Sequence, residues 1–147
     1  MIIPDLKRLK QAYQRAELIS VPKIGNELGQ LSYWENMDLF PNGILRSFWI
    51  TGVRKEEIRG KHAHYKENQV IFALNGKLWI RVEGLDSSIS EFTLSSPEQG
   101  LYIPPMNWVE IQFESEACLL GLSDRAFSEN DYIRDKNKFG SLQTSEI

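Results

Sequence analysis

A chain of 147 residues, 41% of them hydrophobic and 25% charged, has the size and composition of one globular domain, and it can bury a core without disulfides or a structural metal. The formal net charge of −3 argues against a general nucleic-acid surface, although it is compatible with a local basic pocket for a phosphate. Cys118 is the single cysteine and cannot form an internal bridge, which suits a reducing cytoplasm. Flanked by Ala117 and Leu119, it lacks the cationic neighbours that make a thiolate and reads as a small core residue.

The N-terminus, MIIPDLKRLKQAYQRAEL, carries charges every few residues, which fits neither a signal peptide nor a membrane span and predicts a cytoplasmic protein. Over residues 5–17, Leu6, Leu9, Tyr13 and Ala16 recur at spacings of three and four, so a short amphipathic helix is expected as an extension over residues 1–17. From Leu18 the text changes to short runs rich in Ile, Val, Phe, Tyr and Trp, interrupted at Pro41, Asn75, Glu83 and Pro104–Pro105. This rhythm predicts antiparallel strands in a sandwich or barrel over residues 18–140. Within it, NQVIFALNGKLWIRVEG reads as a hairpin with Asn75-Gly76 in a type I′ turn. The segments SISEFTLSS, QGLYIPP, WVEIQFES and ACLLGLSD supply further strands. After Asp124 the chain becomes polar and helical in character through SENDYIRDKNKF, and residues 141–147 read as a flexible tail. The four tryptophans, Trp34, Trp49, Trp79 and Trp108, are expected mainly in the core or an interface.

Both histidines stand two apart in RGKHAHYKENQ, residues 59–69. On a strand, His62 and His64 point to one face and Ala63 to the other, so both imidazoles can line one interior pocket. A catalytic zinc or iron site usually needs three protein ligands, and no third histidine exists. Neither a metal nor another cofactor is therefore expected. Arg59 could instead serve an ion pair with Glu56 or Glu57, and Gln69 a backbone bond.

The pattern G-x-H-x-H followed by Gln69 and Gly76 resembles the first motif of the cupin superfamily, with Gln69 in place of the usual ligand glutamate. The segments GQLSYWE, ILRSFWI, RGKHAHYKENQ, LNGK, SPEQGLYIPPMNW and NDYIRDKNKF resemble, in order and spacing, the WxcM-like nucleotide-sugar 3,4-ketoisomerases, which are metal-free cupins. The resemblance implies an all-β cupin jelly roll with a short helix at each end and a homodimer with exchanged N-terminal strands. Its implied substrate is a dTDP-linked 4-keto sugar, with no nucleic-acid or membrane partner. The implied chemistry is removal of the C3 proton of the sugar, an enediol, and return of a proton at C4, for biosynthesis of a surface polysaccharide. By carry-over, His62 is the base and His64 its partner. Arg59 would meet a diphosphate oxygen, and Gln69 would bond substrate or a histidine. Arg46, Tyr102, Asn107 and Trp108 complete the implied pocket. Phe48 stands where the family has a tyrosine proposed to assist proton transfer, and Leu28 where it has an arginine near the phosphates. Tyr33 or Tyr102 are the candidate replacements for that tyrosine. The alternative is a non-catalytic cupin that binds a sugar nucleotide.

Overall fold

The computed structural model describes residues 5–35 and 38–145. Helix α1 spans Leu6–Ala12 and opens with the Asp5 carboxylate accepting from the Lys7 backbone N–H at 3.0 Å. It is shorter than the periodicity predicts, because from Tyr13 the backbone is extended and leads into strand β1, Glu17–Ser20. A helix of two turns is marginal alone. Tyr13 anchors this one: its hydroxyl donates to Asn107 Oδ1 at 3.0 Å. Its ring tip occupies the place a Cβ on Gly84 would take. Burial, helped by the Asp86 carboxylate, pushes the Tyr13 phenol up to about 12.

Two five-stranded antiparallel sheets follow, together with the hairpin of β2 (Lys23–Asn26) and β3 (Gly29–Ser32). The remaining strands are β4 (Arg46–Ile50), β5 (Ile58–His64), β6 (Gln69–Asn75), β7 (Leu78–Gly84), β8 (Ile89–Leu94), β9 (Gln99–Ile103), β10 (Asn107–Phe113), β11 (Cys118–Ser123) and β12 (Tyr132–Ile133). One sheet has the order β1-β9-β6-β11-β4, and the other β12-β5-β10-β7-β8. They face each other as the cupin jelly roll that the sequence leads one to expect. Ile71, Leu78, Leu101, Ile111, Phe113 and Leu119 fill the space between them, all buried.

The Asn75-Gly76 hairpin is a correction. β6 pairs with β9 and β11, whereas β7 pairs with β10 and β8, so the turn carries the chain from one sheet to the other. Of the two turn residues only Gly76 has a positive φ, 68°, and a Cβ there would press on Ala117. The local signal for a tight turn was correct, but β6 is buried along most of its length. Burying both sides of such a strand favours a central position between two distant partners over a two-stranded ribbon.

The C-terminal segment also differs from expectation. Tyr132 and Ile133 form β12 on the edge of β5, after a 3-10 turn over Glu129–Asp131. Helix α2, Lys136–Thr144, starts only after Asp135, whose carboxylate accepts from the Asn137 N–H at 2.9 Å. It seats the fully buried Phe139 against Trp108, Tyr65 and Met106. Residues 141–144, expected in a flexible tail, continue this helix, while residues 146–147 lie outside those described. Cys118 is half-buried at the start of β11 rather than in the core. Trp108 is buried, but Trp49 on the edge strand β4 is 68% exposed.

Candidate active site

A cavity of about 480 Å³ opens between the sheets. A β-bulge in β5 shapes one of its walls. Val109 of β10 stands opposite His62, Glu110 opposite Gly60 and Ile111 opposite Arg59, which leaves Lys61 as the extra residue. Lys61 and Gly60 take positive φ values of 57° and 86°, and a Cβ on Gly60 would meet the Val109 carbonyl oxygen at 2.7 Å. Glycine is needed there on both counts. Simple alternation would turn Arg59 away from His62 and His64. The bulge resets the count, so that Arg59 shares the inward face of Val109 and Ile111, and all three side chains line the cavity.

The two imidazoles lie with ring centroids 5.0 Å apart, edge to face. His62 Nδ1 is 3.0 Å from the Gly60 carbonyl oxygen, which can only accept, so Nδ1 carries the hydrogen and Nε2 keeps its lone pair. Burial, then the neighbouring His64, then Arg134 push the His62 imidazole down to about 4, so it stands neutral near pH 7. His64 is more deeply buried, with Nε2 3.6 Å from Glu67 Oε2 and Nδ1 3.4 Å from Asp131 Oδ2. The Gln69 amide nitrogen lies 3.4 Å from His64 Nε2 and donates to Glu67 Oε2.

The ligand-type atoms of His64, Glu67 and Asp131 all fall within 4.8 Å of one another, close enough to test as a cation site. Both Asp131 oxygens already accept backbone N–H groups, from Lys66 at 2.9 Å and Glu67 at 3.0 Å. Arg46 Nη2 donates to both Glu67 oxygens, at 3.0 and 2.9 Å. A guanidinium thus already neutralises the Glu67 carboxylate. This donor set does not fit a metal: its carboxylates are committed to fixing a loop and a histidine.

The FdtA (WxcM-like, C-terminal) family model matches residues 14–144. The chain belongs to the WxcM-like family. It is 36% identical over 124 residues to the TDP-4-oxo-6-deoxy-alpha-D-glucose-3,4-oxoisomerase of Aneurinibacillus thermoaerophilus, covering 84% of this chain and 88% of that one. Among solved structures it resembles the sugar 3,4-ketoisomerase QdtA of Thermoanaerobacterium thermosaccharolyticum in complex with TDP. That match has a TM-score of 0.79 at 35% identity, over 85% of this chain and 91% of the other. The TDP-fucose-3,4-ketoisomerase WlaRA of Campylobacter jejuni superposes with a TM-score of 0.80 at 26% identity, covering 89% and 97%.

Of the residues carried over from the WxcM-like pattern, His62, His64, Arg59, Gln69 and Asn107 line the cavity. Asn107 is spent on structure, however, because Nδ2 donates to the carbonyls of Gln14 and Pro104 at 3.0 and 3.1 Å while Oδ1 takes the Tyr13 hydroxyl. Trp108 and Tyr102 do not line the cavity. Leu101, Ile103 and Val109 belong to the core between the sheets, so strand alternation turns Tyr102 and Trp108 to the opposite faces. There Tyr102 donates to Asn68 Oδ1 at 2.8 Å and Trp108 to Glu110 Oε2 at 3.0 Å. Arg46 does not line the cavity either; it stands behind His64 through Glu67. Phe48 does line it, over Gly121, its direct cross-strand neighbour. Leu28, in the turn of the β2–β3 hairpin, is 91% exposed.

Two further residues line the wall, Tyr132, expected only to dock inward with Ile133, and Arg134, which the sequence reading did not single out; behind them stand Glu67 and Asp131, also not singled out. Tyr132 stands opposite His64 in the β12–β5 ladder, and its ring lies 4.2 Å from that of His64 and 5.0 Å from that of His62. Arg134 stacks over it at 4.1 Å and pairs with Glu129 at 2.6 Å. The DYIR segment was the available signal, but reading it as a helix concealed which side chain faces the histidines.

Proposed function

We propose that the chain is a nucleotide-sugar 3,4-ketoisomerase acting on a dTDP-linked 4-keto-6-deoxyhexose. The observation that carries this reading is the convergence of two differently held imidazoles on one cavity of ligand size in a chain of the WxcM-like family. The Thermoanaerobacterium relative binds TDP-4-keto-6-deoxyglucose as a histidine-to-asparagine variant.

The chemistry follows from the two environments. His62 Nε2 takes the C3 proton, the C3–H electron pair forms the C3=C4 bond, and the C4 carbonyl becomes an enediol. Return of that proton to C4, together with net transfer of the O3 proton to O4, gives the 3-keto isomer with no redox partner. Both transfers sit beside one imidazole, and the bound diphosphate's negative charge favours its protonated form. His64 stands edge-on to His62, backed by Asp131 and Glu67, whose charge stabilises a proton passed between the rings. Arg59 borders both this cavity and an adjoining groove of about 500 Å³ that also holds Arg54. That pair of guanidinium groups suits the diphosphate, in place of the arginine absent at Leu28.

Incubation with dTDP-4-keto-6-deoxyglucose in D₂O should give the 3-keto isomer with solvent deuterium on the sugar ring by NMR; no isomer and no deuterium would remove the proposal. A second reading, a binding protein without turnover, is favoured by Phe48 on the cavity wall. It requires dTDP binding with an inert C3 proton. The product would supply a deoxysugar for surface polysaccharide in the cytoplasm. No described helix is long and apolar enough to cross a membrane. A homodimer fits the exposed Ile24 and Leu31 on the β2–β3 hairpin and Trp49 on the edge strand β4, since exposed apolar edges invite pairing. β1 already pairs with β9 of its own chain, so exchange would carry the β2–β3 hairpin onto the second copy. Sedimentation at twice the monomer mass is the expected result.

A further inference from the structure

Resting on the isomerase reading, we propose that Tyr132 is the phenol that relays the proton between O4 and O3, replacing from β12 the hydroxyl that Phe48 cannot supply from β4. The chain has five tyrosines, and their positions decide among them. Tyr13 is tied to Asn107 and Tyr102 to Asn68. Tyr65 packs beneath α2, and Tyr33 follows the β2–β3 hairpin on a backbone bond to Pro22. Neither Tyr33 nor Tyr102, the two replacements suggested by sequence, reaches the cavity; Tyr132 lines it.

Its surroundings suit the task. The ladder sets Tyr132 directly opposite His64, with both imidazole rings within 5.0 Å of its own. On the remaining sides, Phe127 packs at 5.6 Å and the Arg134 guanidinium covers the ring at 4.1 Å. The ring is therefore held in one orientation, face to the guanidinium and beside both imidazoles. In the reaction, the C3 proton goes to His62 while the Tyr132 O–H bond breaks and O4 takes its proton, forming the neutral enediol. The Tyr132 oxygen then removes the O3 proton as the imidazolium returns its own to C4. Both groups end as they began, and every proton is accounted for.

Tyr132→Phe keeps the ring and its packing and removes only the hydroxyl. The expected result is a fall in kcat of about 10²- to 10⁴-fold, with KM, dTDP affinity and thermal midpoint unchanged. A further expectation is partial recovery of kcat in the Tyr132→Phe, Phe48→Tyr double variant, which moves the hydroxyl to the facing wall. A kcat within about threefold of wild type overturns the assignment, as does a loss that appears in KM or thermal midpoint with kcat intact. Wild-type protein that isomerises no 4-keto sugar overturns the isomerase reading and this inference together, whereas an active wild type with an unimpaired Tyr132→Phe overturns the inference alone.

Discussion

The cavity wall formed by β5 and β12 gathers His62, His64, Tyr132 and Arg59, while the facing wall of β4 and β11 presents Phe48, Ile50 and Leu119. The polar wall holds each functional group through a second one: His62 through the Gly60 carbonyl, His64 between Glu67 and Asp131, and Glu67 through Arg46. The side chains of the apolar wall, Phe48, Ile50 and Leu119, carry no polar group and need no such partners. Water exclusion strengthens every charge interaction on the opposite side. It also makes the polar wall costly to disturb, since a charge left unpaired there is largely cut off from solvent.

The largest effect expected from breaking this contrast is on turnover. His62→Asn removes the lone pair facing the cavity and should lower kcat by about 10³-fold or more, in keeping with loss of a general base, with circular dichroism unchanged; retained turnover would reassign the base. Next comes Glu67→Gln, which leaves Arg46 without its buried carboxylate. Breaking a buried pair typically costs about 3–5 kcal/mol, and Arg46, partly reached by solvent, places this one near the lower end. Urea unfolding should show that loss even in assays without substrate.

Acid should weaken the polar wall selectively. The His62 imidazole titrates near 6.5 when unfolded and at about 4 in the fold, so its contribution is intact above pH 6.5. As pH falls from there toward 4, the unfolded chain takes up a proton that the folded one refuses, and stability drops by at most about 3 kcal/mol. Urea midpoints compared at pH 7 and pH 4.5 should diverge more for wild type than for His62→Asn. The smallest effect belongs to the apolar wall. Phe48 lies where a Cβ on Gly121 would collide with its ring, so Gly121→Ala should tilt the ring into the cavity. A several-fold rise in KM with little change in kcat is expected, and an unchanged KM would show that the ring has room to move aside.

Much of this architecture was legible in the sequence because it rests on local chemistry. Strand rhythm and turn residues announced the β sandwich, HAH announced two imidazoles on one face, and the absence of a third histidine disfavoured a metal. What misled was local too. Asn75-Gly76 marks a turn but not which strands it joins, and β6 and β7 pair with distant partners. Tyr102 and Trp108 lay within a recognisable motif, yet the alternation of Leu101, Ile103 and Val109 into the core sends them to the opposite faces. That parity was present in the sequence and could have been used.

The sequence by itself determined which groups are available: two histidines, one Gln in place of a ligand glutamate, and a phenylalanine where a tyrosine was expected. Only the tertiary structure decided how they act. A bulge at Lys61 brings Arg59 onto the histidine face, and the pairing of β12 with β5 sets Tyr132 against His64 across 68 residues of chain (132 − 64). Side-chain chemistry is carried residue by residue, whereas face and neighbour depend on register between strands far apart in sequence, which is settled only when the sheets pack.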